Sequence, residues 1–225
     1  MIGLLQKKSL KFFHPVLKRL AKYYLSKPRN YRYEDINITV FPGVFHPGLF
    51  FSTKVFIEFL KGIDLKGKHV LELGAGSGLI SIFCAKQGAH VTSSDINEMA
   101  LEKLRENARQ NQVSLEIVVS DLFDELDPNN FEQILINPPY YPKQPANMEE
   151  NAWFCGEDFE YFKKLFNQIE NLDRSGPVIW MILSEDCDLE RITTMAASKG
   201  IQFKEAYMKV VSAEKNYIYE LERSS

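Results

Sequence analysis

What the chain has little of narrows its chemistry quickly. Its 225 residues include only three cysteines, Cys84, Cys155 and Cys187, widely spaced and odd in number. That excludes a disulfide framework or a zinc site of CxxC spacing, and it points to a reducing, cytoplasmic compartment. The four histidines show no pairing at metal-ligand spacing, so no catalytic metal is indicated. No apolar run approaches the roughly 20 residues of a membrane-spanning helix. The opening Met1-Ile2-Gly3-Leu4-Leu5-Gln6-Lys7-Lys8 lacks the build of a secretory signal. Internal repeats and low-complexity tracts are missing too. What remains, 45% hydrophobic and 25% charged, is an ordinary globular composition with enough chain to bury a sizeable core.

Charge is spread unevenly. Residues 1–35 hold nine Lys/Arg against two Asp/Glu, a net of +7, and the remainder carries −10. Phe13, Val16, Leu17, Leu20 and Tyr24 recur at helical spacing, so residues 1–35 read as a basic helical extension, interrupted at Pro15. Its lysines and arginines could meet phosphates, but a solvated helix face accounts for them more simply. An acidic body is not that of a general nucleic-acid binder.

Residues 36–225 read as one domain. Ile36–Val40 alternates as a short strand. From Leu65 onward strands and helices take turns, with strands over 69–73, 89–93, 115–119, 131–136 and 177–183 and helices over 79–87, 97–111, 159–169 and 189–198. The pattern predicts an α/β fold, a doubly wound and mostly parallel sheet with helices on both faces. The last two runs, 201–210 and 216–222, have no helix between them and are expected to pair antiparallel.

Four strand ends carry polar residues: Gly74, Asp95, Asp121 and Asn137. Ligands in such sheets bind outside the carboxyl ends of the strands, so these positions converge on one edge. Glycines at 74, 76 and 78 permit a tight turn and close approach of a ligand to the backbone. A dinucleotide fingerprint would need a sixth-position glycine where this chain has Leu79, which disfavours nicotinamide or flavin. Asp95 suits a pair of ribose hydroxyls, with a helix cap as the plainer alternative, and beside the glycine loop the nucleoside reading is preferred. Asp121 suits an exocyclic amine or another cap. Asn137-Pro138-Pro139-Tyr140 is the most distinctive stretch: neither proline has an N–H, and both favour extended backbone before them. The result is a stiff turn that offers acceptors, an Asn amide and two proline carbonyls, to an N–H₂ group.

The ordered set Glu72-Leu73-Gly74-Ala75-Gly76-Ser77-Gly78, Asp95, Ser120-Asp121-Leu122-Phe123 and Asn137-Pro138-Pro139-Tyr140 resembles the class I S-adenosylmethionine-dependent methyltransferases. More narrowly, it is similar to the small-domain group of release-factor glutamine, adenine-N6 and ribosomal guanine-N2 enzymes. The likeness covers about residues 40–222 and implies a Rossmann-like sheet of seven strands. It implies S-adenosylmethionine as cofactor, with Gly74, Gly76 and Gly78 beneath its methionine part and Glu72 near its amino group. Asp95 would meet the ribose and Asp121 the adenine. Pro42-Gly43-Val44-Phe45 and Phe51-Ser52-Thr53 resemble the segment that closes over the amino-acid end, which brings in Phe45 and Thr53. Cys155-Gly156-Glu157-Asp158 partly resembles the glycine–acid segment of the glutamine enzymes.

The expected chemistry is N-methylation of a planar amide or exocyclic amine, on a macromolecular acceptor, either a protein glutamine or a nucleobase. Acceptors on Asn137 and Pro138 would take the two N–H bonds of a poorly nucleophilic nitrogen, stabilising charge where it develops. Tyr140 would pack on the planar group. Trp153 and Phe154 read as loop anchors rather than stacking platforms. A binding or scaffold protein of the same fold, and a nicotinamide-dependent oxidoreductase, are the competing readings.

Overall fold

The computed structural model describes residues 26–48, 51–172 and 176–223. The helix expected before Tyr24 lies outside them. A hairpin, β1 (Arg29–Tyr33) and β2 (Ile36–Val40), opens the described chain. It turns at Glu34, whose φ is +52°. Residue 35, the last of the expected extension, falls in that turn. Helix α1 (Ser52–Leu60) follows, then β3 (His69–Leu73), α2 (Leu79–Lys86), β4 (His90–Asp95), α3 (Glu98–Gln110) and β5 (Glu116–Val119). The second half runs β6 (Gln133–Ile136), α4 (Glu160–Glu170), β7 (Val178–Ser184), α5 (Leu189–Ala197), β8 (Ile201–Val211) and β9 (Glu214–Arg223).

The main sheet has seven strands in the order β5-β4-β3-β6-β7-β9-β8. The first five are parallel, while β9 runs antiparallel to both β7 and β8, as the missing helix between the last two runs predicts. The chain walks outward from β3 through β4 to β5, then returns to β6 on the other side of β3. That reversal opens a crevice between the carboxyl ends of β3 and β6, the usual ligand position in such sheets.

Strand alternation builds two cores. Leu71, Leu73, Ile134, Ile136, Met181 and Leu183 face α4 and α5, against Phe162, Leu165, Phe166 and Ile169, an apolar stripe of three-and-four spacing along α4. Val70, Leu135, Trp180 and Ile182 face the other way, against α1 and α2. Asn97 caps α3, its side chain accepting from Met99 and Ala100 N–H.

The hairpin docks through a device that periodicity does not reveal. Asn107 of α3 and Asn111, the residue that ends the helix one turn later, are both buried and reach β2 as two surrogate peptide groups. Asn111 accepts from Asn37 N–H at 2.9 Å and donates to its carbonyl at 2.6 Å. Asn107 does the same at Thr39, at 2.8 and 3.0 Å, and also donates to the Ser77 carbonyl at 3.0 Å. One amide thus joins the hairpin to the glycine-rich loop.

Candidate active site

Four strand ends meet around a cavity of about 340 Å³, within the usual range for a small-ligand site. Its walls come from β3, β4, β5 and β6, from Phe45 and Thr53 of the preceding segment, and from Tyr161 and Lys164 of α4.

At the end of β3 the backbone turns through Gly74 (φ +70°), Gly76 and Gly78 (φ +79°). A Cβ built on Gly74 would meet nothing within 4 Å, so this residue lays bare backbone on the cavity floor. Gly78 plays another part. It does not line the cavity; it starts α2, and a Cβ there would come within 2.6 Å of Leu104 Cγ. Its expected contact with a ligand is corrected to close packing of the loop on α3.

Glu72 lines the cavity yet is buried, and its Oε2 accepts from Ser81 N–H at 2.8 Å and from the Ser81 hydroxyl. Ser93 donates to Ser81 Oγ at 2.7 Å, extending the chain. Burial pushes the Glu72 carboxyl up to about 8, against the pull of the Ser81 donors. Asp95 Oδ2 accepts from Gly76 N–H at 2.9 Å and Oδ1 from Asn97 N–H at 2.9 Å. Burial raises this carboxyl too, opposed by those backbone donors. Asp95 therefore holds the glycine loop in shape and keeps a second lone pair on each oxygen for a ligand. It is not the helix cap, which is Asn97.

Asp121 lies two residues past β5 and is exposed at the cavity wall. Lys164 donates to Asp121 and to Asp124 at 2.6 Å each, and Gln168 holds Asp124 at 2.7 Å. Tyr161, one turn before Lys164, lines the same end; burial first, then Asp95 and Asp121, raises its phenol. Ser81, Tyr161 and Lys164 are helix residues that approach the site from another layer and leave no local motif, and Ser93 is a buried strand residue whose part shows only through its bond to Ser81.

Opposite stands Asn137, at the end of β6. Its Nδ2 donates to Thr53 Oγ1 at 3.4 Å, which leaves Oδ1 as the end of the amide available to a ligand. Pro138 and Pro139 line the cavity beside it. Tyr140 does not. It is 6% exposed, packed in the α4/α5 core, with its ring 4.9 Å from Tyr141 and its hydroxyl engaged with Ser184. Burial raises its phenol far above the usual range, so it stays neutral. The expected stacking of Tyr140 on an acceptor is corrected: the side chain buttresses the turn from beneath.

The mouth is formed by residues 142–153. The loop is tied at its base, where Tyr141 N–H donates to the Trp153 carbonyl at 3.1 Å and Cys155 N–H to the Tyr141 carbonyl at 3.0 Å. Trp153 packs on Phe45 with ring centroids 5.1 Å apart and lies off the cavity, an anchor as expected. Phe154 differs, for it lines the cavity, and the Lys143 ammonium lies 4.4 Å from its ring centroid.

The cavity fits an aminoacyl nucleoside carrying a sulfonium. Bare glycine backbone accepts close approach, three acidic groups at separate strand ends offer acceptors for an ammonium, ribose hydroxyls and an adenine amine, and Lys164, the one cationic side chain of the lining among the described residues, is held by two aspartates.

Comparison with known proteins agrees with that fit. The family model described as "Methyltransferase small domain" matches residues 35–155. A Methanocaldococcus jannaschii protein with the provisional name protein N5-glutamine methyltransferase MJ0928 is 44% identical over 158 residues, covering 67% of this chain and 77% of its own. Ribosomal RNA small subunit methyltransferase C of Actinobacillus pleuropneumoniae is 37% identical over half of this chain, which spans only 35% of that enzyme. Among solved structures, the E. cuniculi Mtq2–Trm112 complex matches with a TM-score of 0.62 at 20% identity, over 81% of this chain and 99% of the other. The T. thermophilus 16S rRNA N2 G1207 methyltransferase, solved with AdoMet and guanosine, also gives 0.62 at 20% identity, over 88% and 50%. These two likenesses establish the fold. With the family model matched over more than half of its length, the chain belongs to the methyltransferase small domain family of class I S-adenosylmethionine-dependent methyltransferases.

Proposed function

We propose that this enzyme transfers a methyl group from S-adenosylmethionine to a planar amide or exocyclic amine nitrogen. The observation that carries the reading is the Asn137 amide, fixed by Thr53 with its oxygen left for a donor, directly across the crevice from the glycine floor. The cofactor supplies an electrophilic methyl on a sulfonium; the chain's own task is to hold the nitrogen. Asn137 Oδ1 and the Pro138 carbonyl take the two N–H groups, and their negative ends face the nitrogen as positive charge builds there. Two prolines keep that geometry without reorganisation, so positioning contributes much of the rate. At the donor end, Gly74 and Gly76 underlie the methionine part, Glu72 meets its ammonium, Asp95 the ribose and Asp121 the adenine, with Phe45 closing above.

The relative named as a glutamine methyltransferase supports an amide acceptor. A nucleobase amine is the second reading, favoured by the likeness to ribosomal RNA methyltransferases. Calorimetric titration with S-adenosylhomocysteine and with NAD tests the common part. Micromolar binding of the first and none of the second is expected; NAD binding alone would sink it.

Two further results are expected. Thr53→Val removes the hydroxyl that fixes Asn137, so kcat should fall about tenfold with little change in cofactor affinity, as for a lost positioning contact. Steady-state kinetics decides, and an unchanged kcat would make Thr53 a packing residue only. The second concerns Glu72. With its carboxyl near pH 8 in the empty site, it holds a proton at neutrality, and a bound ammonium favours its release. Affinity for S-adenosylmethionine should therefore rise as pH increases toward 8 and level off above it, by up to about tenfold per pH unit. In the unliganded chain the same group works in the opposite sense on stability: its contribution is full below about pH 4.5 and is lost as pH rises through 8. Glu72→Gln should flatten the binding profile; a profile unchanged by that substitution would assign the proton elsewhere.

A further inference from the structure

Two elements, not one, build the end of the cavity where Asp121 stands. The turn after β5 is held from within by Ser120, whose hydroxyl donates to the Leu122 carbonyl at 2.8 Å and accepts from Glu125 N–H at 3.1 Å. From outside it is clasped by α4. Lys164 donates to Asp121 Oδ2 and to Asp124 Oδ2 at 2.6 Å each. One turn on, Gln168 donates to Asp124 Oδ1 at 2.7 Å and accepts from Phe123 N–H at 3.3 Å. Asp124 therefore has both oxygens engaged. Asp121 has one, and its Oδ1 has no partner among the described residues.

Helix α4 does not need the Lys164 pairs to stay in place. Phe162, Leu165, Phe166 and Ile169 already bury it against the sheet, and an ion pair this open to solvent adds little to stability. What the lysine changes is Asp121 itself. Without it the two neighbouring carboxylates would repel each other, and an Asp121 side chain that is 46% exposed would turn toward water. The shared ammonium cancels one of the two charges and pins Oδ2 in a charge-assisted bond. A single acceptor of fixed direction is left on the cavity wall. Burial works against the ammonium, but the two carboxylates outweigh it and hold Lys164 above the ordinary lysine range.

Resting on the proposed contact of Asp121 with the adenine, we infer that Lys164 is a positioning residue for cofactor recognition: by holding Asp121 Oδ2 it aims Oδ1 at the 6-amino group, so the site takes a 6-aminopurine and rejects a 6-oxopurine. A carbonyl at that ring position would set lone pair against lone pair, across a carboxylate that cannot turn away. Nor can the lysine rescue it, because its protons are committed to the two aspartates. Lys164 acts through the carboxylate and has no part at the reacting atoms.

The test is calorimetric titration of the full chain with S-adenosylhomocysteine and with S-inosylhomocysteine, which differ only in carrying a 6-amino or a 6-oxo group. The unaltered chain is expected to favour the amino ligand about a hundredfold, less than a fully buried recognition group achieves. Lys164→Met should cut that preference to about tenfold or below, chiefly by weakening the amino ligand, and Lys164→Arg should keep most of it. The same fall is expected of Lys164→Gln, whose shorter, neutral amide cannot span both aspartates, and this variant decides should the Met variant fail to fold. A lysine that merely braces the fold would weaken both ligands by one factor and leave their ratio intact. That result, with the preference lost in Asp121→Ala, would overturn the inference alone. Equal affinity of the unaltered chain for the two ligands, or an undiminished preference in Asp121→Ala, would instead overturn the placing of the adenine at Asp121.

Discussion

Replacing Asn137 by alanine is expected to lower methyl transfer by about a thousandfold while changing affinity for S-adenosylhomocysteine by less than about threefold. The separation follows from which strands carry which groups. The acceptors proposed for the cofactor stand on β3, β4 and β5, and Asn137 stands across the crevice on β6. Truncation leaves the turn intact, because Pro138 and Pro139 fix their own backbone and Tyr140 anchors it from the core. What disappears is one acceptor aimed at the place where charge develops, and no neighbouring side chain can replace it. Single-turnover transfer measured beside calorimetric binding decides the matter. Parallel loss of rate and cofactor affinity would mean that Asn137 belongs to the cofactor cradle.

The largest effect on stability is expected at Asn107, far from the chemistry. Asn107→Ala leaves Thr39 N–H, Thr39 C=O and Ser77 C=O without their partner, around a side chain that is itself 1% exposed. Each orphaned group costs on the order of 1–3 kcal/mol, so a total of about 4 kcal/mol is expected for the set. For a domain of this size that lowers Tm by about 10 °C, taking about 2–4 °C per kcal/mol. Asn107→Asp should be no better, since a carboxylate cannot donate to the two carbonyls. Urea unfolding of the three proteins measures it; a loss below about 1 kcal/mol would show that the hairpin is held by its apolar residues Ile36, Ile38 and Val40 instead.

Much of this fold was legible because the repeating β-α units have strong local signals. Asn97 as a cap, the apolar stripe of α4 and the unbroken runs of β3, β6 and β7 each state their element. Two elements were not legible. Helix α1 is buried at Val55, Phe56, Ile57 and Leu60, with no side-chain cap on Phe51, so it lacks a start signal. Strand β1 falls within the stretch read as a helical extension, because its context comes from its partner β2 and the asparagines of α3. At the site the strand ends were readable and the helices above them were not. Lys164 reaches Asp121 from 43 positions away, and Thr53 reaches Asn137 from 84. The two misplaced roles share a cause: Gly78 and Tyr140 sit in the right motifs, but a motif does not say which of its residues faces the ligand and which faces the core.

The tied base of the mouth loop has a consequence for how such an enzyme changes over time. With Tyr141 and Cys155 fastened together, residues 142–153 form a closed excursion whose contents pull only weakly on the strands. Doubling the length of a closed loop costs only about 0.6 kcal/mol. The segment can therefore be exchanged as a cassette. Rewriting this one stretch would alter the mouth of the cavity while the strand ends that carry Gly74, Asp95 and Asn137 keep their places.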